Sequence, residues 1–528
     1  MKLRVLTIIV LSLAGVLSPV ARAQSRPVKV TGGLVTGVPG KDPSIFTYKG
    51  IPFAAPPIGN LRWRAPQPVI AWTGVRKADK FSASCVQQIV SELGPWTYEF
   101  MTHNNVSEDC LYLNVFTPAK SPSAKLPVLV HIYGGGFSSG SAAVPIYSGE
   151  GLAKKGLVVV TFNYRVGALG FLAHPELTKE SGHQASGDYG LIDQIAALRW
   201  VRANIVRFGG DPANVTIAGQ SAGSMSVHDL TASPLARGLF HRAIAQSGGS
   251  TVGGVGISME PPSLASAEAD GQKFAESKGV HSLAELRALS WQKILEPIPG
   301  ATPMSGLRFG PIVDGYVLPA PYMEIIAEGK QNDVATLTGN AAGELGGLFA
   351  SGAPITAAQF QEQARKRYTN RADAFLKLYP AATDEQAQAA QRDSNRDQAL
   401  VALYLWAKAR STTAKTPVYE YLWDHPLPGP DAAKYGAFHS SEIMYVLNTL
   451  DESNRPFTEQ DHKIAAMMSS YWANFAATGN PNAAGLPVWP AISDKQEIME
   501  VGDMTQPIPV ASTPAKIAFF TSVLTQSK

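Results

Sequence analysis

Between Leu126 and Gly223 the chain alternates apolar runs with an amphipathic stretch, and two of the runs end in tight turns of small residues. Leu126–Ile132 opens into Gly134-Gly135-Gly136, and residues 157–163 are apolar on both faces, as a strand covered by helices on both sides would be. Residues 193–207 place Ile195, Leu198, Trp200, Val201 and Ile205 along one broad stripe, the spacing of a helix, and Gly209-Gly210-Asp211-Pro212 ends it. Residues 215–218 then form a short β-run that leads into Gly219-Gln220-Ser221-Ala222-Gly223. Strand, helix, strand and sharp turn in this order define a βαβ core. The chain is thereby constrained to an α/β architecture around a large, mostly parallel central sheet.

The flanks fit around that core. Residues 27–75 alternate short β-branched segments with Gly and Pro, which predicts a small antiparallel sheet with tight turns. Residues 334–338 and 418–422 restore strand character, residues 265–278, 283–289 and 461–477 read as helices, and residues 297–310 read as loop. Residues 356–410, rich in Ala, Gln and Arg, predict several helices laid over the core. With no internal repeat and no separable linker, residues 24–528 are expected to form one domain whose helical insertions make a cap.

The N-terminus carries its own signal. Lys2 and Arg4 precede an apolar run from Val5 to Leu17, and Ala21-Arg22-Ala23 has the small-x-small pattern of a cleavage site, so residues 1–23 read as a secretory signal peptide. The apolar run is too short for a permanent span, and no later stretch reaches the roughly 18 apolar residues that one needs. Removing residues 1–23 takes away Lys2, Arg4 and Arg22 and no acid, so the formal charge of +3 falls to zero and no compositional argument for nucleic-acid binding remains. Export, to periplasm or extracellular space, would put Cys85 and Cys110, the only cysteines, in an oxidising compartment. A disulfide is then expected, the alternative being two buried thiols.

Two segments point to chemistry. In Gly219-Gln220-Ser221-Ala222-Gly223 a serine sits between small neighbours on a strand-to-helix turn, which lifts its hydroxyl above the sheet beside the free N–H groups of a helix start. Tyr133-Gly134-Gly135-Gly136-Phe137 follows a strand directly, and its unobstructed amides suit an oxyanion, with Gly135, Gly136 and Ala222 as the donors. Neither a phosphate-binding glycine pattern nor a zinc pattern is present. A serine nucleophile needs a base, and the acid-then-histidine order of this architecture leaves His228, His241, His281, His425, His439 and His462 open.

The chain resembles the type B carboxylesterases, the group that also holds the cholinesterases and the bacterial para-nitrobenzyl esterases. The resemblance rests on Tyr48 to Ala54, Ser107 to Asn114, Tyr133 to Phe137, Asn163-Tyr164-Arg165, Gly187 to Gln194, Phe208 to Pro212 and Ala218 to Gly223, and is weak over residues 345–415. It implies an α/β-hydrolase fold and a Ser221–His439–Glu344 triad, His439 taking the Ser221 proton and Glu344 fixing the imidazole tautomer. It also implies the Cys85–Cys110 bridge and two structural ion pairs, Arg62 with Glu108 and Arg165 with Asp193. Gly343 departs from the pattern, which often has an acid there, and neutral Gln220 stands where cholinesterases carry one, removing a reason to expect a cationic substrate.

The expected activity is hydrolysis of a small-molecule carboxylic ester through an acyl-enzyme, with no metal or organic cofactor, no nucleic-acid partner and no stable membrane insertion. The rival readings are a non-catalytic exported binding module of the same fold, and amidase, thioesterase or lactonase activity at the same site. Trp96, Tyr98, Phe100 and Met101 either line the entrance to an apolar gorge or pack the core or lid, and Phe137 borders the acyl site with no substrate contact assigned to it.

Overall fold

The computed structural model describes residues 25–248, 261–297, 307–344 and 354–525. The signal-peptide expectation falls on residues outside these, as does most of the loop expected at 297–310.

One sheet organises the chain. Its strands are β1 (Val38–Pro39), β2 (Phe46–Pro52), β3 (Tyr112–Thr117), β4 (Leu126–Ile132), β5 (Val158–Phe162) and β6 (Gly210–Gln220). They continue with β7 (Arg242–Gln246), β8 (Ala335–Ala341), β9 (Val418–Trp423), β10 (Glu497–Val501) and β11 (Thr505–Pro509). In space the order is β11-β10-β9-β8-β7-β6-β4-β5-β3-β2-β1. Every pair from β10 across to β5 is parallel, and the antiparallel pairs lie at the two edges. A mostly parallel sheet with helices packed on it is the α/β-hydrolase architecture.

The parallel strands are built from residues that suit double-sided cover. All of β5, Val-Val-Val-Thr-Phe, is buried, and its Val158 and Val160 stand beside Val128 and Val130 of β4. Helix α1 (Tyr189–Asn204) covers the sheet with Ile195, Leu198 and Val201, and α2 (Ala222–Ala232) starts directly after β6. Helices α3 (Leu264–Ser277), α4 (Ala357–Tyr368), α5 (Asp384–Ser411) and α6 (Glu459–Thr478) follow. A second apolar cluster joins Phe360, Phe375 and Leu400 to Phe519 and Phe520 of the C-terminal helix Pro514–Thr525. A third gathers Phe274, Leu283 and Leu286 against Trp63 and Leu169. Among the described residues no helix is long and apolar enough to cross a membrane.

The N-terminal reading needs one correction. Val28–Val30 and Gly33–Thr36 do pair antiparallel, but the third strand of that small sheet, Val75–Lys77, runs parallel, and Phe46–Pro52 joins the main sheet instead. The reason lies in β3, whose Leu113 and Val115 offer Ile51 and Tyr48 a buried partner that a two-layer N-terminal sheet could not.

The sheet fixes where a ligand can sit. Strand order reverses around β4, and in open α/β sheets the crevice forms beyond the carboxyl ends of strands at such a point. Gly134 follows β4, Ser221 follows β6, Glu344 lies three residues beyond β8, and His439 lies in the segment after β9.

Candidate active site

Ser221 occupies a backbone conformation that few residues adopt, with φ 59° and ψ −124°. Such positions cost on the order of 1–3 kcal/mol and persist only where the surroundings enforce them. Here Ser221 N–H donates to Gln246 O at 2.9 Å, and Met225 N–H donates to Ser221 O at 3.0 Å. Gly223 allows α2 to press against β4, because a Cβ at that position would sit 2.1 Å from the Ile132 carbonyl oxygen. The serine is thus held at the tip of a turn wedged between two strands and a helix.

The glycine loop lies alongside. Tyr133 and Tyr164 stack at 4.4 Å between ring centroids and interlock, Tyr133 Oη donating to Tyr164 O at 2.8 Å and Tyr164 Oη to Tyr133 O at 3.0 Å. Gly167 N–H donates to Phe137 O, which ties the end of the glycine loop to the segment after β5. Among the described residues no group accepts a hydrogen bond from the amides of Gly135, Gly136 or Ala222. Three uncommitted N–H groups beside a serine can receive a developing oxyanion. Phe137 is buried, with its ring edge-to-face against Phe171.

His439 and Glu344 meet although 95 residues separate them. His439 Nδ1 and Glu344 Oε2 are 2.5 Å apart, and Glu344 Oε1 accepts Ala341 N–H at 2.7 Å, so the carboxylate is held at both oxygens. Gly343 makes the approach possible. Its N–H donates to Ala437 O at 2.8 Å, and a Cβ there would lie 2.8 Å from that same oxygen and 3.3 Å from Tyr435 O. A glycine at this position thus fits the close backbone approach of the acid-bearing and histidine-bearing segments. Among the described residues no hydrogen bond joins Ser221 Oγ to His439; such bonds are often long before a substrate is bound.

Electrostatics at the histidine oppose one another. Burial disfavours the imidazolium, yet the bonded Glu344 carboxylate and, behind it, Glu442 more than reverse this, and His439 is raised above the ordinary histidine value. Glu442 is fully buried; desolvation first, then the charge of Glu344, pushes it up to about 7. Its Oε1 accepts from Gln246 Nε2 at 3.3 Å, and Gln246 Oε1 in turn accepts from Trp472 Nε1 at 3.3 Å.

Family membership settles the class of chemistry. The model of the carboxylesterase family matches residues 24–520. The chain belongs to the carboxylesterase family. It is 37% identical to fumonisin B1 esterase of Sphingopyxis macrogoltabida over 500 residues, covering 92% of this chain and 88% of that enzyme. It is 33% identical to cocaine esterase of Homo sapiens over 503 residues, covering 90% and 86%. It is 34% identical to para-nitrobenzyl esterase of Bacillus subtilis (strain 168) over 470 residues, covering 85% and 90%. The chain is accordingly a carboxylic ester hydrolase, with a small-molecule ester as its substrate.

The remaining sequence-predicted residues of this carboxylesterase fall outside the reacting centre. Arg62 binds Glu108 through two bonds of 2.6 Å and donates to the carbonyls of Arg287 and Leu289 at 3.0 and 2.7 Å, pinning residues 287–289 to the Cys110 segment. Arg165 binds Asp193 through 2.8 and 2.7 Å bonds and so ties the segment after β5 to α1. Cys85 and Cys110 are joined as a disulfide. Within the loop they close, Trp96 supports the histidine: its Nε1 donates to His439 O at 3.2 Å, and its ring meets the imidazole edge-on at 6.3 Å. Tyr98 is exposed and stacks on His103, while Phe100 packs against Phe438.

Sequence reasoning missed three contacts. Gln220 Nε2 approaches both ring nitrogens of His439, Ser440 Oγ donates to Gln220 Oε1 at 3.1 Å, and Glu442 stands behind the triad candidates. The run His439-Ser440-Ser441-Glu442 held the only available signal, a second carboxyl three residues past the histidine.

Proposed function

We propose that this chain is an exported serine carboxylesterase that works through an acyl-enzyme on Ser221. The observation that carries the reading is the bonded His439–Glu344 pair beyond the carboxyl ends of the central strands, where the strained Ser221 turn also lies with the amides of Gly135, Gly136 and Ala222, from which no described residue accepts a hydrogen bond. An ester binds with its carbonyl oxygen toward those amides. Ser221 Oγ bonds to the carbonyl carbon while its proton passes to His439 Nε2, and Glu344 holds the imidazolium that forms. The carbon–alcohol bond then breaks, and His439 returns the proton to the departing alcohol. Water next gives a proton to His439 and its oxygen to the acyl carbon; the Ser221–acyl bond breaks and serine regains its proton as the acid leaves.

Relatives named for fumonisin B1, cocaine and para-nitrobenzyl esters support a site open to bulky esters. The test is kcat/KM across esters varied separately in acyl and alcohol size, with amide and thioester counterparts and Ser221→Ala alongside. Turnover of esters abolished in a folded Ser221→Ala protein is the expected result; ester turnover that survives the substitution would sink the serine mechanism. Export is supported by the sequence of residues 1–23 and by the disulfide, which oxidising compartments favour. The exported protein should begin at Gln24, and a mature N-terminus that retains the apolar run of residues 5–17 would refute cleavage.

A further inference from the structure

Gln220 Nε2 lies 3.2 Å from His439 Nε2 and 3.4 Å from His439 Nδ1. The two ring nitrogens of an imidazole point their bonding directions away from each other. A donor bonded in the ring plane to one of them is therefore far from the other. An in-plane position equally close to both would press into the carbon between them. Near-equal distances to both nitrogens thus put the amide nitrogen over the face of the ring. Nδ1 is in any case committed in the plane to Glu344. The Gln220 amide therefore leaves the in-plane lone pair of Nε2 open for the serine proton, while covering the ring from above.

The orientation of that amide is fixed from its other end. Ser440 Oγ donates to Gln220 Oε1 at 3.1 Å, which turns the carbonyl away and the N–H side toward the imidazole. Gln220 is buried, and it stands at the end of β6, next to the nucleophile. The charged and titratable groups facing the imidazole are Glu344, bonded to Nδ1, and Glu442, buried behind it. Both favour the imidazolium. The N–H side of a neutral amide presents partial positive charge, so it opposes them; a carboxylate in the same place would join them.

We propose that Gln220 is a positioning residue that clamps His439 by its ring face and lowers the pH at which the base becomes protonated. This rests on the reading of His439 as the base. In the exported protein, the choice of glutamine keeps the imidazole neutral, and hence able to accept the Ser221 proton, further into the acidic range than a carboxylate there would allow.

The experiment is the pH profile of kcat/KM for a para-nitrophenyl ester, with thermal unfolding of each protein, in wild type, Gln220→Glu and Gln220→Met. Gln220→Glu should move the acid limb upward by about 1 to 3 pH units, as expected for an opposite charge within a few ångströms of the titrating ring. Gln220→Met removes the N–H dipole without adding charge and should move the limb upward by less. A limb that coincides with wild type in either folded variant overturns the proposal, since a purely structural role would lower the unfolding temperature without moving the limb. His439→Ala, run in parallel, separates the two readings. Loss of turnover there with unmoved limbs in the Gln220 variants refutes the role of Gln220 alone, whereas retained turnover refutes His439 as the base.

Discussion

Two carboxyl groups stand near His439, and replacing each by its amide should have unequal consequences. Glu344 is bonded to Nδ1 at 2.5 Å and is held at its other oxygen by Ala341 N–H. In Glu344→Gln the Ala341 bond selects the orientation that keeps oxygen toward Ala341 and turns the amide N–H toward Nδ1. The histidine must then accept at Nδ1 and carry its proton on Nε2, where it can no longer take one from Ser221. The charge is lost as well. With charge centres about 4 Å apart and an effective dielectric near 20, the attraction for the imidazolium is about 4 kcal/mol. That corresponds to roughly a thousandfold in kcat. Glu442 acts at one remove: its Oε1 is bonded to Gln246, and Glu442→Gln leaves the Nδ1 bond in place. Its loss in kcat should stay below about tenfold, since Coulomb attraction weakens with distance. The acid limb should move downward in Glu442→Gln, because Glu442 is one of the groups that raise His439 and activity is lost as pH falls through that histidine's protonation. The assay is kcat on the alkaline plateau and the full pH profile, with thermal unfolding to establish that both variants fold. Equal losses, or less than a tenfold loss in a folded Glu344→Gln protein, would show that Glu344 does not orient the base.

Gly343→Val should push the segment around Ala437 away from β8, with an overpacking cost of about 1–3 kcal/mol and a fall in kcat; urea unfolding and kcat measured together test it, and a variant unchanged in both would refute the close-contact argument. Replacing Cys85 and Cys110 together by serine should lower stability by about 2–4 kcal/mol. Because the loop they close carries the Trp96 bond to His439 O, kcat should fall with it, and a variant that loses stability but not kcat would show that Trp96 holds its place without the bridge.

How far the sequence reaches depends on how locally each feature is encoded. Fully buried parallel strands such as β5, and the helix over them, follow from runs of β-branched residues and from the apolar spacing of Ile195, Leu198 and Val201. The serine turn is legible for the same reason, since the small residues it needs are its immediate neighbours. β11 is not: Thr505–Pro509 contains two prolines and little alternation, and only a sheet edge tolerates such a strand. β7, five residues with an arginine at its start, is recognised only by what lies on either side of it.

The proposed base shows the limit most clearly. Local sequence leaves six histidines open, and pairing with a carboxylate does not separate them, because His425 pairs with two, Asp461 at 2.9 Å and Asp503 at 2.6 Å. Those bonds occupy both of its ring nitrogens, so His425 has no site left for a serine proton. His228 is buried with Nδ1 on Tyr322 Oη, and His241 Nδ1 accepts Val215 N–H. Among the described residues, His439 alone of these four pairs Nδ1 with one carboxylate and no second carboxylate on Nε2, and it does so beside the residue that precedes Ser221. What sets the proposed base apart is thus a carboxylate on Nδ1 beside the serine turn, and that depends on a strand end and a loop 95 residues apart arriving at the same place.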